Sequence, residues 1–184
     1  MSATQQLKDE HEGILLMLRI LDKITAKIDA KGNVDPQHIE RIVEFLQIFA
    51  DRCHHGKEED LLFPEMENAG IPREKGPIGI ILMEHDQGRA YVRGMAEASS
   101  RYKKGDSVAS AEYAKSARNY IALLTQHINK ENNVLFPMEE KVLSPKKQEE
   151  LVEAFERLER EKIGEGTHER FHHLLHELQE RYLV

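Results

Sequence analysis

Residues 54–64 read HHGKEEDLLFP, and residues 127–137 read HINKENNVLFP. Aligned on their Leu-Phe-Pro ends, the two segments share a histidine, followed three and four residues later by a lysine and a glutamate. The dipeptide Glu10-His11 likewise recurs as Glu84-His85, at an offset of 74 residues where the longer segments are offset by 73. The spacing therefore predicts a repeated pair of helices that carries the same metal-ligand residue types twice.

The composition restricts the class of protein. A chain of 184 residues is long enough for one domain with a sizeable core. Acidic residues outnumber basic ones by 33 to 26, with no large block of lysine and arginine, so we expect neither a nucleic acid nor a membrane as partner. No signal peptide or bilayer-spanning apolar stretch is recognised. The single cysteine, Cys53, excludes an internal disulfide and favours a cytoplasmic location.

Apolar residues recur at helical spacing along most of the chain, for example at Ile14, Leu18 and Leu21, and no comparable stretch alternates with period two. Glycine and proline clusters divide this pattern into segments. Four long helices are predicted, near residues 4–30, 36–68, 77–103 and 108–141. A further helical segment, 145–183, is interrupted near residues 164–167, where Thr167 could cap the last helix. The predicted fold class is all-α: an up-down-up-down four-helix bundle with an additional broken C-terminal helical segment.

The predicted loops place the repeated residues at one height in the bundle. In two antiparallel helices, residues equidistant from the centre of the connecting loop lie at the same level. The midpoints of His11 and His54, of Glu58 and His85, and of His85 and His127 all fall inside predicted loops. One layer of the interior is therefore predicted to collect six candidate metal ligands: His11, His54, Glu58, His85, His127 and Glu131.

Four imidazoles and two carboxylates are suitable donors for a pair of metal ions. Neutral imidazole suits first-row metals such as iron, and a carboxylate can bridge two cations while offsetting their charge. We predict two iron ions, with zinc and manganese less favoured. His55 and Glu59, also four residues apart, are the alternative pair. Because the repeat aligns His55 with Ile128, we interpret His55 and Glu59 as a solvated face or as support beside the site.

Other residues of interest have less specific patterns. His38 is interpreted as a packed or surface histidine, and Cys53 as a small buried neighbour of the site. The Leu-Phe-Pro segments are interpreted as apolar packing, with a proline that bends or ends the regular helix. Four C-terminal histidines fit an amphipathic helix, with a second metal site or a homodimer contact as the alternative: His168, His172, His173 and His176. Four tyrosines could line the pocket: Tyr91, Tyr102, Tyr113 and Tyr120.

The candidate ligands resemble those of the hemerythrin-like, or HHE cation-binding, family. The resemblance rests on His11, His54-x-x-x-Glu58, His85 and His127-x-x-x-Glu131, and it covers about residues 5–140. It implies a four-helix bundle over residues 1–143, with residues 144–184 as a C-terminal helical extension packed on the same domain. It also implies two irons bridged by the two glutamates and by an oxo or hydroxo group, with the four histidines as terminal ligands.

The chain departs from that pattern at one position. Oxygen-carrying hemerythrins have a fifth histidine from a pair four residues apart on the third helix, where this chain has Ile81 and Arg89 around His85. A water, a tyrosine, Glu84 or Glu59 is therefore expected to take the place of that ligand. Because the second histidine of the third helix is missing, reversible oxygen carriage is not the expected function.

The predicted function is that of a non-haem di-iron protein that binds or reacts with a small oxidant, namely oxygen, peroxide or nitric oxide. An open coordination position is the reason for this prediction, since a small ligand binds where the protein donors are incomplete. The sequence does not distinguish an enzyme from a carrier or a sensor. The alternative is an iron-handling or iron- or oxygen-sensing protein without turnover, in which the bound metal stabilises the bundle. A metal-free helical interaction module is the third hypothesis.

Overall fold

The computed structural model describes residues 2–184, which form six helices and no strand. Helix α1 is Ala3–Asp29, α3 is Pro77–Lys103 and α6 is Thr167–Tyr182. The other three helices each join α-helical and π-helical parts: α2 spans residues 36–68, α4 spans 109–142 and α5 spans 145–163. Helix α1 contacts α2 and α4, and α3 contacts α2 and α4, so these four enclose a common interior. The predicted all-α bundle is confirmed.

Capping residues explain where several helices begin. The side chains of Ser2, Asp35 and Ser144 accept hydrogen bonds from backbone N–H groups at the starts of α1, α2 and α5. A proline follows Asp35 and Ser144 at the first helical position, where no donor is needed. Helix α6 differs from its prediction, because Gly166 in a left-handed conformation (φ 77°) precedes it and Thr167 is already helical. The Thr167 hydroxyl donates instead to the Ile163 carbonyl.

Two π-helical segments occupy equivalent positions in the repeat. They are Glu58–Leu62 and Glu131–Leu135, and each is followed by a Phe-Pro pair that resumes the α-helix. A proline inside a helix lacks an N–H and crowds the carbonyl four residues earlier, so regular α geometry cannot run through it. The wider i→i+5 turn accommodates this conflict without ending the helix. Regular α geometry is therefore interrupted in the turn before each Phe-Pro pair and resumes at that pair, so the helix as a whole continues.

Two apolar clusters occupy the interior, one on each side of the layer that contains the repeated histidines. The larger includes Ile14, Phe45 and Phe49, and the smaller includes Phe63 and Phe136. Helices α5 and α6 contact the α1–α2 side of the bundle. Their apolar residues join the same two clusters, Phe155 the smaller and Phe171 the larger. The division of the chain at residues 143 and 144 stays a prediction.

Within residues 2–184, no helix combines the length and the apolarity that crossing a bilayer would require.

Candidate metal centre

The structure brings all six predicted ligands together at the centre of the bundle. Each comes from one of the helices α1 to α4, as the loop midpoints indicated. All six side chains are buried, with relative exposures of 0–1%: His11, His54, Glu58, His85, His127 and Glu131. Their convergence supports the prediction that they act together, while their role as ligands stays a prediction.

The ligand atoms form two adjoining groups. One consists of His11, His54, Glu58 and Glu131, and the other of His55, Glu58, His85 and His127, with the ligand atoms of each group within 4.8 Å of one another. The Glu131 carboxylate has one oxygen 3.1 Å from His11 Nε2 and the other 3.1 Å from His127 Nε2.

The Glu58 carboxylate spans the same gap, with its oxygens 3.6 Å from His54 Nε2 and 3.4 Å from His85 Nε2. Each of the two carboxylates therefore directs one oxygen toward each group of imidazoles. This is the arrangement that two neighbouring cations sharing bridging carboxylates would require.

His55 lies at the cluster, although the sequence analysis ranked it behind His54 as an alternative ligand or as part of a solvated or supporting face. Its interpretation as part of a solvated face is wrong, because the residue is 3% exposed and its ring stacks on His85 at a centroid distance of 3.8 Å. The Nδ1 atom lies 3.4 Å from Asp51, and Nε2 has no partner among residues 2–184. His55 thus supplies a fifth imidazole from α2, although the third helix lacks the second histidine of the oxygen carriers. The Asp51-x-x-x-His55 spacing was the available signal.

Each of the four predicted histidines has a partner that fixes its ring, and the partners follow the repeat. His54 Nδ1 is 2.9 Å from Glu10, and His127 Nδ1 is 3.0 Å from Glu84, the counterpart of Glu10. An Nδ1–H that donates to a carboxylate leaves the Nε2 lone pair free for a cation.

The second pair of partners comes directly after Glu58 and Glu131 in the sequence. His85 Nδ1 lies 2.6 Å from Glu59, and His11 Nδ1 lies 2.9 Å from the Asn132 amide oxygen. Glu59 and Glu84, which we expected as substitutes for a missing ligand, therefore orient imidazoles from outside the cluster, and for Glu59 this agrees with its interpretation as support beside the site.

A lysine accompanies each of these Glu-His pairs. Lys57 donates to Glu10, and Lys130 donates to Glu84. Lys57 also donates to Glu159 of α5, a contact for which Lys130 has no equivalent among the ion pairs of residues 2–184. The Lys57 side chain is consequently 0% exposed, whereas that of Lys130 is 40% exposed. The C-terminal helices thus bury one of the two otherwise equivalent ion pairs.

The charges inside the cluster are strongly coupled. Burial lowers the pKa of His54 to about 3, and it would also lower the pKa values of His85 and His127. The neighbouring carboxylates, above all Glu131, reverse that effect and raise them to about 11 for His85 and about 9 for His127. Burial would raise the pKa of Glu131, but these imidazoles hold it well below its usual range. Protons on His85 and His127 thus balance a charge that a cation would otherwise balance.

The unpaired atoms fit a cation at this position. No aligned hydrogen bond within residues 2–184 satisfies the buried Nε2 atoms of His55, His85 and His127, or any of the four carboxylate oxygens of Glu58 and Glu131. A buried polar atom without a partner costs about 1–3 kcal/mol, and more when it is charged. Because all seven atoms belong to the two ligand groups, one pair of cations would satisfy them together.

The Leu-Phe-Pro segments contribute more than packing. Phe136 stacks on His11 at a centroid distance of 5.6 Å, and Phe63 is parallel to His85 at 6.2 Å. Both phenylalanines are 0% exposed. Each half of the repeat therefore presses an aromatic ring against a histidine of the other half and excludes water from that side.

The C-terminal histidines do not form a common face around a metal in the described chain. His172, His173 and His176 are exposed. His168 joins Glu10, Cys53 and Glu159 in a third group of ligand-type residues, with its Nε2 3.6 Å from Cys53 Sγ. The Lys57 ammonium already lies between Glu10 and Glu159, so it is the cation of this group. Burial raises the pKa of the Cys53 thiol to about 12, which keeps it protonated.

Comparisons with known proteins agree with this geometry. Three curated relatives, one from Mycobacterium bovis and two from strains of Mycobacterium tuberculosis, are each described as an uncharacterized protein. Each is 23% identical over 165 residues, which is 90% of this chain and 64% of the relative, so the chain spans a little under two thirds of their length. No solved structure matches significantly. The model of the hemerythrin HHE cation-binding domain matches residues 2–139, three quarters of the sequence, and the chain therefore belongs to this family.

Proposed function

We propose that this protein is a non-haem di-iron protein that binds or reacts with a small oxidant: oxygen, peroxide or nitric oxide. The observation that carries the proposal is the position of Glu58 and Glu131, each with one carboxylate oxygen toward each group of imidazoles. A single ion would use only one side of this arrangement. Two ions use both sides, and the two negative charges offset part of theirs.

The donors favour iron over the alternatives. Imidazole nitrogen combined with carboxylate oxygen suits first-row metals of intermediate softness, and the described cluster contains no thiolate that would favour zinc. Zinc and manganese are the less favoured occupants. In the proposed assignment, His11 and His54 hold one ion, and His55, His85 and His127 hold the other.

The unequal number of histidines decides where an external ligand binds. Each carboxylate directs one oxygen toward each side, but the His11–His54 side has one imidazole fewer. A small external ligand would therefore bind on the His11–His54 side, where the chain offers fewer donors. When bound, a pair of ferrous ions supplies two electrons to a small oxidant. The chain itself orients the imidazoles through their Nδ1 partners and keeps the site dry with the rings of Phe63 and Phe136.

The proposal also places the protein in the cytoplasm, on the ground that Cys53 has no cysteine with which to form a disulfide.

The experiment adds oxygen, hydrogen peroxide or nitric oxide separately to the iron-loaded, anaerobically reduced protein and follows absorption and oxidant consumption. We expect a spectral change with at least one oxidant in the wild type and in His172→Ala, because His172 is exposed and belongs to none of the three groups of ligand-type residues. Glu131→Ala should lose iron and the response together. An iron-loaded wild type that responds to none of the three would contradict the proposal and favour iron handling without turnover. Full iron retention by Glu131→Ala would contradict the ligand assignment.

A further inference from the structure

A cavity of ≈ 240 Å³ adjoins the candidate metal centre on the side of His55. It lies between α2, α3 and α4, and His55, Gly88 and Tyr120 form part of its wall. Gly88 brings α3 close to α4, because a Cβ atom there would already lie 3.5 Å from both Leu124 and Tyr120, at ordinary contact distance. A longer side chain at residue 88 would therefore crowd the wall of the cavity that Gly88 lines.

The internal repeat indicates that this cavity is not required by the packing of the bundle. Residues 14, 124 and 128 are the counterparts of Gly88, Asp51 and His55, and they are Ile14, Leu124 and Ile128. All three belong to the apolar core, with exposures of 1–3%. The same position in the other half of the bundle is therefore filled with aliphatic side chains. Only on the side of the cavity are these three positions occupied by a glycine, an aspartate and a histidine.

The cavity is rich in positive charge. Arg52, Arg89 and Arg93 line it, in a chain whose net charge is −7. Arg89 pairs with Asp51 and Glu59, whereas Arg52 and Arg93 make no ion pair within residues 2–184. Two guanidinium groups without a carboxylate partner at one opening attract an anion, and their planar donor forks suit a carboxylate.

Apolar side chains form another part of the wall. Leu46, Val92 and the ring of Tyr120 line the cavity, together with the polar residues Gln47 and Asp51. We propose that the cavity binds a small organic anion, namely a carboxylate with a short apolar chain, whose charged end pairs with the arginines and whose carbon chain contacts this wall. An inorganic oxyanion would use the arginines but leave the apolar surface uncovered.

Arg89 connects this site to the metal centre. One guanidinium bonds to Asp51 at 2.8 Å and to Glu59 at 2.9 Å, and these carboxylates hold Nδ1 of His55 and His85 respectively. An anion that draws Arg89 away changes both imidazole partners at once. This coupling rests on the proposed function, and linkage requires anion and iron to change each other's affinity by the same factor.

The first experiment titrates the metal-free full-length protein with butyrate, acetate and inorganic phosphate, followed by calorimetry or by NMR shifts of Gly88 and Tyr120. Butyrate should bind roughly tenfold more tightly than acetate, since each buried methylene contributes a few-fold. Arg93→Gln should weaken butyrate binding by about tenfold, as expected for loss of a hydrogen bond to a charged group. Gly88→Leu should abolish binding while the helical circular dichroism is retained.

Arg19→Gln is the matched control, because Arg19 is the counterpart of Arg93 in the repeat, is exposed and lines no described cavity. Equal weakening by Arg19→Gln and Arg93→Gln, or unchanged binding in Gly88→Leu, would overturn the site. If phosphate binds as tightly as butyrate, the proposal that the cavity prefers an organic anion is refuted.

A second titration of the iron-loaded protein tests the coupling. Bound iron should change the affinity for butyrate, and butyrate should change the affinity for iron by the same factor. Identical affinities would overturn the coupling alone. If the protein fails to take up iron at all, the proposed function is refuted, while the metal-free titration still decides whether the anion site exists.

Discussion

Lys57 and Lys130 occupy equivalent positions of the repeat but differ in burial, which gives a matched pair of substitutions. Lys57 is 0% exposed and donates to both Glu10 and Glu159. Lys130 is 40% exposed and donates to Glu84 alone among residues 2–184. Methionine preserves most of the length of the side chain and removes its charge. Lys57→Met therefore leaves two carboxylates facing each other without a cation, whereas Lys130→Met leaves one that water can reach.

The expected magnitudes differ several-fold. Removing one partner of a buried ion pair costs about 3–5 kcal/mol, because the remaining charge is uncompensated. An exposed pair contributes about 0–1 kcal/mol. For a chain of this size, each kcal/mol lowers the melting temperature by roughly 2–4 °C, so Lys57→Met should lower it by about 6–20 °C and Lys130→Met by no more than about 4 °C.

Denaturant titration of both variants in the presence of a chelator measures the loss in free energy of unfolding without a contribution from bound metal. The pH dependence provides a second check. Burial would raise the pKa of Glu10, but His54 and Lys57 lower it in the folded protein. A lowered pKa stabilises at neutral pH and loses that contribution in acid, so the deficit of Lys57→Met should shrink as the pH falls below about 4.5. Equal and small losses in the two variants would refute the role assigned to the C-terminal helices.

Three further outcomes are expected. His55→Ala should lower the iron content measured by elemental analysis, whereas His172→Ala should not. Phe136→Ala should destabilise the metal-free protein by about 3–5 kcal/mol in denaturant titration, because its ring is fully buried against His11. The raised pKa values of His85 and His127 stabilise the metal-free protein at neutral pH, and this contribution should be lost as the pH rises through about 9 and about 11. Metal binding at neutral pH should accordingly release protons, measurable by calorimetry in buffers of different ionisation enthalpy.

The convergence of the six candidate ligands could be predicted from sequence because their position depends only on helical rise and loop centres. His11 and His54 come to one level through the loop that joins α1 and α2, whatever the remainder of the chain does. The partners of the imidazoles follow the same repeat. Glu59 and Asn132 each come directly after one of the two candidate glutamates, so the alignment of the two halves already indicated that they occupy equivalent positions.

His55 could not be placed by the same reasoning. Consecutive residues of an α-helix point about 100° apart, so His54 and His55 were not expected to face one site. The π-helical segment Leu46–His55 has a wider turn, which brings consecutive side chains closer in direction. Nothing in the residue pattern of that segment predicts where the backbone hydrogen bonds of the helix change from i→i+4 to i→i+5.

The burial of Lys57 also escaped the sequence analysis, for a different reason. It depends on where α5 packs, since Glu159 and Phe155 of that helix cover the ammonium group. Apolar periodicity predicts that α5 is helical but not which face of the bundle it contacts. The repeat alone would have assigned Lys57 and Lys130 the same surroundings.

In the proposed centre, two carboxylates and five imidazoles hold a pair of irons. The most direct measurement is the iron content per chain of the purified protein reconstituted with ferrous ion, read together with the near-ultraviolet absorption of its oxidised form. We predict two irons per chain and the absorption of a coupled ferric pair. One iron per chain without that absorption, in a folded protein, would refute the proposed di-iron centre.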